Sequence, residues 1–215
     1  DQSAQSKLHD FYYQRFAVYE TLTYDKSFGK SDLQTSFTYY LSKVSRNGIE
    51  EPERQQSGGL TALYSYDDRY SVHGVLNYAG SSSFSEKNRY IWSPAIGAGW
   101  VISEEGFLSG ARFLDYLKLR AETGVLGYES FLSPFYYRDR WNTNTSGTLF
   151  GPHTANQWFG TTTETTVYRT VPSRIGNPDI TWEKRREFNA GVEALMLDSR
   201  LYVEVNYYNQ LRDGQ

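Results

Sequence analysis

The 215-residue sequence contains no cysteine, so disulfides and thiolate-held metals are excluded, while a cell-surface location stays permitted. It has no apolar run approaching the roughly twenty residues of a membrane-spanning helix, and its mean hydropathy is only -0.64. A helical membrane protein is therefore ruled out. A barrel is not, because its strands are apolar on one face alone. Charge of one sign is also scarce: the net charge is -3 with both signs scattered, which leaves no electrostatic case for nucleic acid. No export signal opens the chain, which begins at Asp1 rather than Met, so the expectation is a piece of a longer protein.

Reactive constellations are missing as well. His9, His73 and His153 stand apart from one another and from any carboxylate at ligand spacing, so no metal or other cofactor is called for. Glu50-Glu51, Asp67-Asp68 and Glu104-Glu105 are adjacent pairs, which point to opposite sides of a strand or lie in solvated turns. General acid–base work needs two carboxylates converging on one substrate, and no pair here can be nominated for a glycoside hydrolase. Gly97-Ala98-Gly99 lacks the third glycine and the helix of a dinucleotide site, and its small residues are expected to leave room in a lumen. Asn144-Thr145-Ser146 fits a glycosylation sequon, a pattern common by chance. The expectation is a protein without enzymatic activity.

What the chain does have is long alternation. Leu33, Thr35, Phe37, Tyr39 and Leu41 alternate with Gln34, Ser36, Thr38, Tyr40 and Ser42, and Leu201, Val203, Val205 and Tyr207 with Tyr202, Glu204, Asn206 and Tyr208. Soluble strands typically run five or six residues, whereas about ten tilted residues cross a bilayer. The pattern predicts eight strands near 11–25, 32–45, 58–67, 69–80, 91–102, 115–127, 180–197 and 200–211. Their connections alternate between short ones (Lys26 to Ser31, Asp67-Asp68, Asp198-Ser199) and long ones at 46–57, 81–90 and 128–179. The 103–114 stretch is intermediate, with one helical turn expected across Ser103 to Leu108. Up-and-down barrels of the outer membrane keep this asymmetry, and a soluble meander has no reason to.

The faces can be followed strand by strand. Leu117, Leu119, Ala121, Thr123 and Val125 oppose Lys118, Arg120 and Glu122. On lipid, an Arg or Lys at the midplane would cost about 2–4 kcal/mol, so the charged side is expected to face a watery lumen. Pro94 cannot donate a ladder hydrogen bond, which predicts a ragged start or a bulge there. The first strand fits worst, since Gln14 and Glu20 share a face with Phe16, Val18 and Leu22. Phe188 to Met196 spans the apolar band, so Trp182, Lys184 and Arg186 are expected above it, at the level of acidic headgroups. Aromatics make up 17% of the chain, and Tyr24, Phe28, Tyr66, Tyr70, Trp100 and Tyr116 border the short turns as an interfacial girdle. Such rings also suit sugar-binding surfaces, so a soluble, secreted carbohydrate-binding β-sandwich is the rival reading.

Several segments resemble one family in order. Ser93-Pro94-Ala95-Ile96-Gly97-Ala98-Gly99-Trp100-Val101-Ile102-Ser103-Glu104-Glu105, Leu117-Lys118-Leu119-Arg120-Ala121-Glu122-Thr123-Gly124, Gly176-Asn177-Pro178-Asp179-Ile180-Thr181-Trp182-Glu183-Lys184 with Glu187 to Glu193, and Arg200 to Tyr208 are similar to the SusC/RagA family of TonB-dependent transporters. Tyr24-Asp25-Lys26-Ser27-Phe28-Gly29-Lys30 resembles a periplasmic turn of the same family. The resemblance implies an all-β, antiparallel up-and-down transmembrane β-barrel segment, about eight strands of a barrel of 22 filled by a plug, with residues 1–215 lacking the plug and the other strands. It also implies a multi-pass protein in the outer membrane of a Gram-negative, Bacteroidetes-like cell. The implied partners are a SusD-like surface lipoprotein, TonB through the plug, outer-membrane lipid and lipopolysaccharide, and an oligosaccharide or peptide as cargo.

One region is placed to touch that cargo. The long connection 128–179, expected outside the cell and without structure of its own, carries Tyr136, Tyr137, Arg140, Trp141 and Trp158 among Asn, Thr and Gly. Flat rings beside Arg and Asn can stack on a sugar and bond its hydroxyls. The competing account is that the rings pack the loop against its neighbours or against a partner.

Overall fold

The computed structural model describes residues 12–47, 51–108, 110–111, 113–129, 135–144 and 169–214. Ten strands form: β1 (Tyr13–Phe28), β2 (Ser31–Arg46), β3 (Glu53–Tyr66), β4 (Tyr70–Ser81), β5 (Tyr90–Val101), β6 (Leu114–Tyr128), β7 (Arg140–Asn144), β8 (Arg169–Arg174), β9 (Glu183–Met196) and β10 (Leu201–Asp213). Eight make one antiparallel sheet in the order β1-β2-β3-β4-β5-β6-β9-β10, and β7 pairs with β8 as a separate hairpin. Each long strand lies beside its predecessor among the eight, which is the expected up-and-down path. The strands run from 12 to 16 residues, longer than the ten or so a bilayer requires.

Left-handed residues close the turns at one end of the sheet. Gly29 has φ +65°, the backbone conformation that only glycine adopts without cost. Asp67 and Asp68 (φ 53° and 54°) make the β3–β4 turn, as the short polar side chains of Asp allow. The β9–β10 turn holds Leu197, Asp198 and Ser199 all at positive φ, with Leu197 N donating to Phe113 O (3.0 Å) and Ser199 N to Asp115 Oδ2 (3.0 Å). The β5–β6 connection at the same end contains two short 3-10 turns, Ile102–Glu104 and Gly106–Leu108, in place of the single turn expected.

Register carries the alternation across the whole sheet. Leu22, Phe37, Leu60, Leu76 and Pro94 align through successive pairings, as do Tyr66, Tyr70, Trp100, Leu119, Val192 and Val205. Glu20 pairs with Tyr39, which places it and Gln14 on this apolar face, as the sequence indicates. Among the described residues no second layer covers it. Val192 and Val203 stay 39% and 37% exposed, and the buried apolar residues among those described are Phe84, Ile91, Trp182 and Ala194. A β-sandwich would bury Leu117, Val192 and Val203 in a sealed centre, so that rival falls.

Four expectations are corrected. Strand β3 begins at Glu53 rather than 58, because Glu53 to Ser57 continue the ladder against Val44 to Tyr40 of β2. Strand β9 begins at Glu183 rather than 180, because Asn177 Oδ1 accepts from Asp179 N (3.0 Å) and turns the chain first. Tyr116 falls in the same alternation as Lys118 and Arg120, so it leaves the apolar-face girdle for the polar face. The space at Gly97 and Gly99 is not open: a side chain at Gly97 would collide with the His73 imidazole, and one at Gly99 with Ser71 Oγ at 2.6 Å. The β5–β6 ladder starts at Ala95, directly after Pro94, and above it Gly127 N donates instead to Ser93 Oγ (3.3 Å). Proline's missing donor accounts for that ragged start.

Candidate functional site

The end of the sheet opposite the tight turns is built from connections 47–52, 82–89 and 129–182. The last of these is not structureless. Its β7–β8 hairpin pairs Trp141 with Pro172 and Asn142 with Val171, and its base is tied by Arg174 Nη2 donating to Phe135 O (2.8 Å). Gly176 N donates to Asp139 Oδ1 (2.8 Å), and Asn177 N to Tyr136 O (3.2 Å). A side chain at Gly176 would meet the carbonyl of Tyr137 at 2.5 Å, so only glycine lets the two halves of the loop meet.

The predicted contact residues separate into kinds. Tyr136 has the Arg174 guanidinium 4.4 Å over its ring, and Tyr137 has that of Arg138 at 5.2 Å. Both rings are thus engaged within the loop. Arg140 is exposed at the hairpin, and Trp141 is 58% exposed. Trp158 lies outside the described residues.

A second group of residues anchors the loop to the sheet. Phe84, Ile91 and Trp182 form a buried cluster, with the Phe84 and Trp182 rings 4.7 Å apart. Trp182 Nε1 donates to Asn88 O (3.1 Å), Asn88 Nδ2 to Ile180 O (3.1 Å) and Ser85 Oγ to Pro178 O (2.8 Å). Trp182 was expected beside Lys184 and Arg186 among headgroups. It is instead 6% exposed, because the chain bends before β9 begins and carries the indole under the 82–89 connection.

Between this connection, β3 and the loop base opens a cleft of about 560 Å³, lined by Arg54, Gln56, Arg89, Tyr90, Tyr137 and Arg138. Arg138 Nη1 sits 2.8 Å from Glu51 Oε1, which raises its pKa above the ordinary arginine value. Arg54 and Arg89 have no carboxylate within ion-pair distance among the described residues. Gln56 Nε2 donates to Tyr90 OH (2.8 Å). Guanidinium forks beside flat rings recognise polar, planar or anionic groups.

The polar face carries its own network. Arg120 Nη2 donates to Glu204 Oε1 and Asn206 Oδ1 (both 2.8 Å), and Arg120 Nε lies 3.4 Å from Glu193 Oε1. Asn189 Nδ2 donates to Glu122 Oε1 (3.0 Å), and His73 Nε2 stands 3.8 Å from Glu122 Oε2. His73 is therefore not isolated from carboxylates, as its position in the sequence suggested; pairing across β4, β5 and β6 brings Glu122 to it.

Comparison with known proteins finds no matching protein-family model. The chain is 34% identical over 145 residues to TonB-dependent receptor P26 of Formosa agariphila, covering 67% of this chain and 13% of that protein. It is 29% identical over 214 residues to TonB-dependent receptor SusC of Bacteroides thetaiotaomicron, covering 88% of this chain and 20% of that protein. Among solved structures, that of the RagAB peptide transporter superposes with a TM-score of 0.72 at 20% identity, covering 94% of this chain and 24% of that one. The chain is SusC/RagA-like and belongs with the TonB-dependent receptors. It spans between 13% and 20% of the length of these curated relatives.

The sheet of this SusC/RagA-like chain is thus a stretch of transmembrane barrel wall, eight strands of a larger barrel whose closure needs further strands beside β1 and β10. Sequence reasoning missed Arg54, Arg89 and Tyr90, which reach the cleft from the start of β3, the 82–89 connection and the start of β5. The signal for them was their place at or next to a strand start.

Proposed function

We propose that this chain is wall and surface loop of an outer-membrane importer that works with TonB-derived energy and a SusD-like surface lipoprotein. The tight-turn end lies in the periplasm, and the long-loop end, with residues 128–179, at the cell surface. The apolar face meets lipid, and the Arg120 network faces the lumen. One observation carries this reading: among the described residues, an eight-stranded meander leaves its apolar face without a covering layer, while its opposite face pairs Arg120 with Glu193 and Glu204. Water would not tolerate such an uncovered face, and bilayer hydrocarbon would not tolerate the charged one.

The cargo is an oligosaccharide or a peptide. Tyr136, Tyr137, Arg140, Trp141 and Trp158 remain its proposed contacts on this chain, with Trp141 presenting the exposed ring and the arginine-covered tyrosines holding the loop that carries it. Replacing Trp141 and Trp158 by alanine in the whole transporter is expected to weaken cargo binding by about tenfold, as loss of a central aromatic contact does. Unchanged affinity with normal surface expression would reject these contacts.

A further inference from the structure

At the long-loop end, the apolar face is not uniform. Because the β5–β6 ladder stops at Pro94, the two strands part above Ala95 and Gly124, and a crevice of about 520 Å³ opens between them. Its apolar walls include Trp92, Pro94 and Val125, and its rim carries Lys87, Lys184 and Arg186. Register places Arg186 beside Val125 and Lys184 beside Gly127, on the same face as Phe188, Ala190 and Val192. Lys184 therefore stands toward the top of the uncovered apolar surface, with Arg186 two residues below it beside Val125. The same face carries the Tyr78 ring, 5.2 Å from that of Tyr90 and 4.5 Å from that of Trp92.

The charge at this rim is largely uncompensated. Arg186 Nη2 has one carboxylate, Asp213 Oδ2 at 3.7 Å. Lys87 and Lys184 have none within ion-pair distance among the described residues, and both are exposed. Three cations over an apolar slot make an unsuitable surface for bare hydrocarbon, yet they suit an amphiphile that bears phosphate above acyl chain. Lys184 and Arg186 are long enough to hold their stems against the apolar wall while the heads reach up.

We infer that this crevice holds one phosphorylated glycolipid of the outer leaflet, with a sugar phosphate on Lys184, Arg186 and Lys87 and an acyl chain descending past Trp92, Pro94 and Val125. A phosphoglycolipid fits better than a glycerophospholipid because the cations come from two separate elements, the 82–89 connection and β9. They therefore suit a headgroup broad enough to offer phosphate to both, and the exposed Trp92 ring offers a flat face to a sugar. This inference rests on the outer-membrane placement proposed above and gives it a particular site.

The test uses the whole transporter extracted from its native outer membrane in mild detergent, with lipid A phosphate per barrel measured by native mass spectrometry. The wild-type protein is expected to keep one phosphoglycolipid through detergent exchange. The double variant K184E/R186E is expected to retain it about tenfold less, and K184Q/R186Q to show a smaller loss in the same direction. Lys26→Glu, on the same face at the tight-turn end, should change nothing. Equal retention in all variants, or retention of a glycerophospholipid instead, overturns the site. Heat-modifiable migration and cargo uptake are measured in parallel: if both persist while lipid retention is unaffected, the crevice assignment alone fails. A wild-type protein that does not fractionate with the outer membrane overturns the functional reading itself.

Discussion

The two faces of the sheet share one backbone and obey opposite rules. On β9, Val192 and Glu193 are neighbours in sequence; Val192 has no covering layer, while Glu193 sits beside Arg120. Three glycines show the contrast away from the long-loop end. Gly124 on the polar face would press a side chain against Ala95 Cβ at 2.7 Å, and Gly191 one against Arg120 Nε at 2.7 Å. Gly74 on the apolar face has nothing within 4 Å. One face is crowded and self-satisfied; the other waits for a solvent with nothing to hydrogen-bond. A soluble protein has no use for that division, since it buries its apolar face and wets its polar one.

The sharpest way to break the comparison is to change the charge by one positive unit on either side of one strand. Val192→Lys in the whole barrel is expected to cost about 2–4 kcal/mol, because a cation near the bilayer midplane finds neither water nor partner. Glu193→Gln, one residue away, removes a partly exposed pairing and is expected to cost less than about 1 kcal/mol. Urea unfolding of the barrel in lipid bilayers measures both. Similar costs for the two would mean that the faces do not differ in solvent, and the membrane reading would go with them.

Glycine substitutions sharpen the contrast at smaller scale. Gly124→Val forces a side chain into the Ala95 backbone and the Pro94 carbonyl, neither of which can swing away, and overpacking of this kind costs about 1–3 kcal/mol. Gly74→Ala meets open space and is expected to be neutral, or stabilising by about 0.4–1 kcal/mol through the unfolded chain. The same unfolding assay separates them. Equal destabilisation at Gly74 and Gly124 would contradict the idea that the polar face is the more tightly packed of the two at these positions.

Much of this division was legible in the sequence, because period-two alternation survives in every long strand and the two classes of connection mark the two ends. The strand boundaries at the long-loop end were not. Strand β3 reads as starting at 58 because Glu53 to Ser57 are polar and show no alternation; their pairing with Val44 to Tyr40 of β2 extends it. Ile180 to Trp182 read as strand because their alternation is correct; only the Asn177 turn and the Phe84 ring, from a connection far away in the chain, take Trp182 out of line. The loop's aromatic character was equally plain. Which ring is covered and which is free was not, since Arg174 approaches Tyr136 from the other half of the β7–β8 hairpin. Polar-face pairing such as His73 with Glu122 likewise depends on register across three strands.

The weakest expected effect concerns the tight-turn end rather than the two faces. In the tight β3–β4 turn, Lys30 Nζ donates to Asp67 Oδ2 (2.9 Å), and this bond, with a lesser pull from Arg69, holds the Asp67 carboxyl below its ordinary pKa. Glu105, on the β5–β6 connection, is lowered in the same way by hydrogen bonds from Tyr70 OH and then Trp100 Nε1. Both carboxylates bind a proton less readily folded than unfolded, so their contribution to stability is present above the ordinary carboxylate pKa of about 4 and disappears as the pH falls through the lowered folded values. Amide hydrogen exchange, corrected for intrinsic rates, is expected to show the Asp67 and Arg69 amides, which donate to Lys30 O and Tyr66 O, losing protection on acidification below that point, while strand centres keep theirs. Asp67→Asn should flatten the dependence at this turn and leave the Glu105 connection responsive. The effect is small because the groups are exposed and water screens them. Turn amides whose protection is the same on both sides of the carboxylate range would show that the left-handed Asp67-Asp68 backbone holds the turn without help from Lys30.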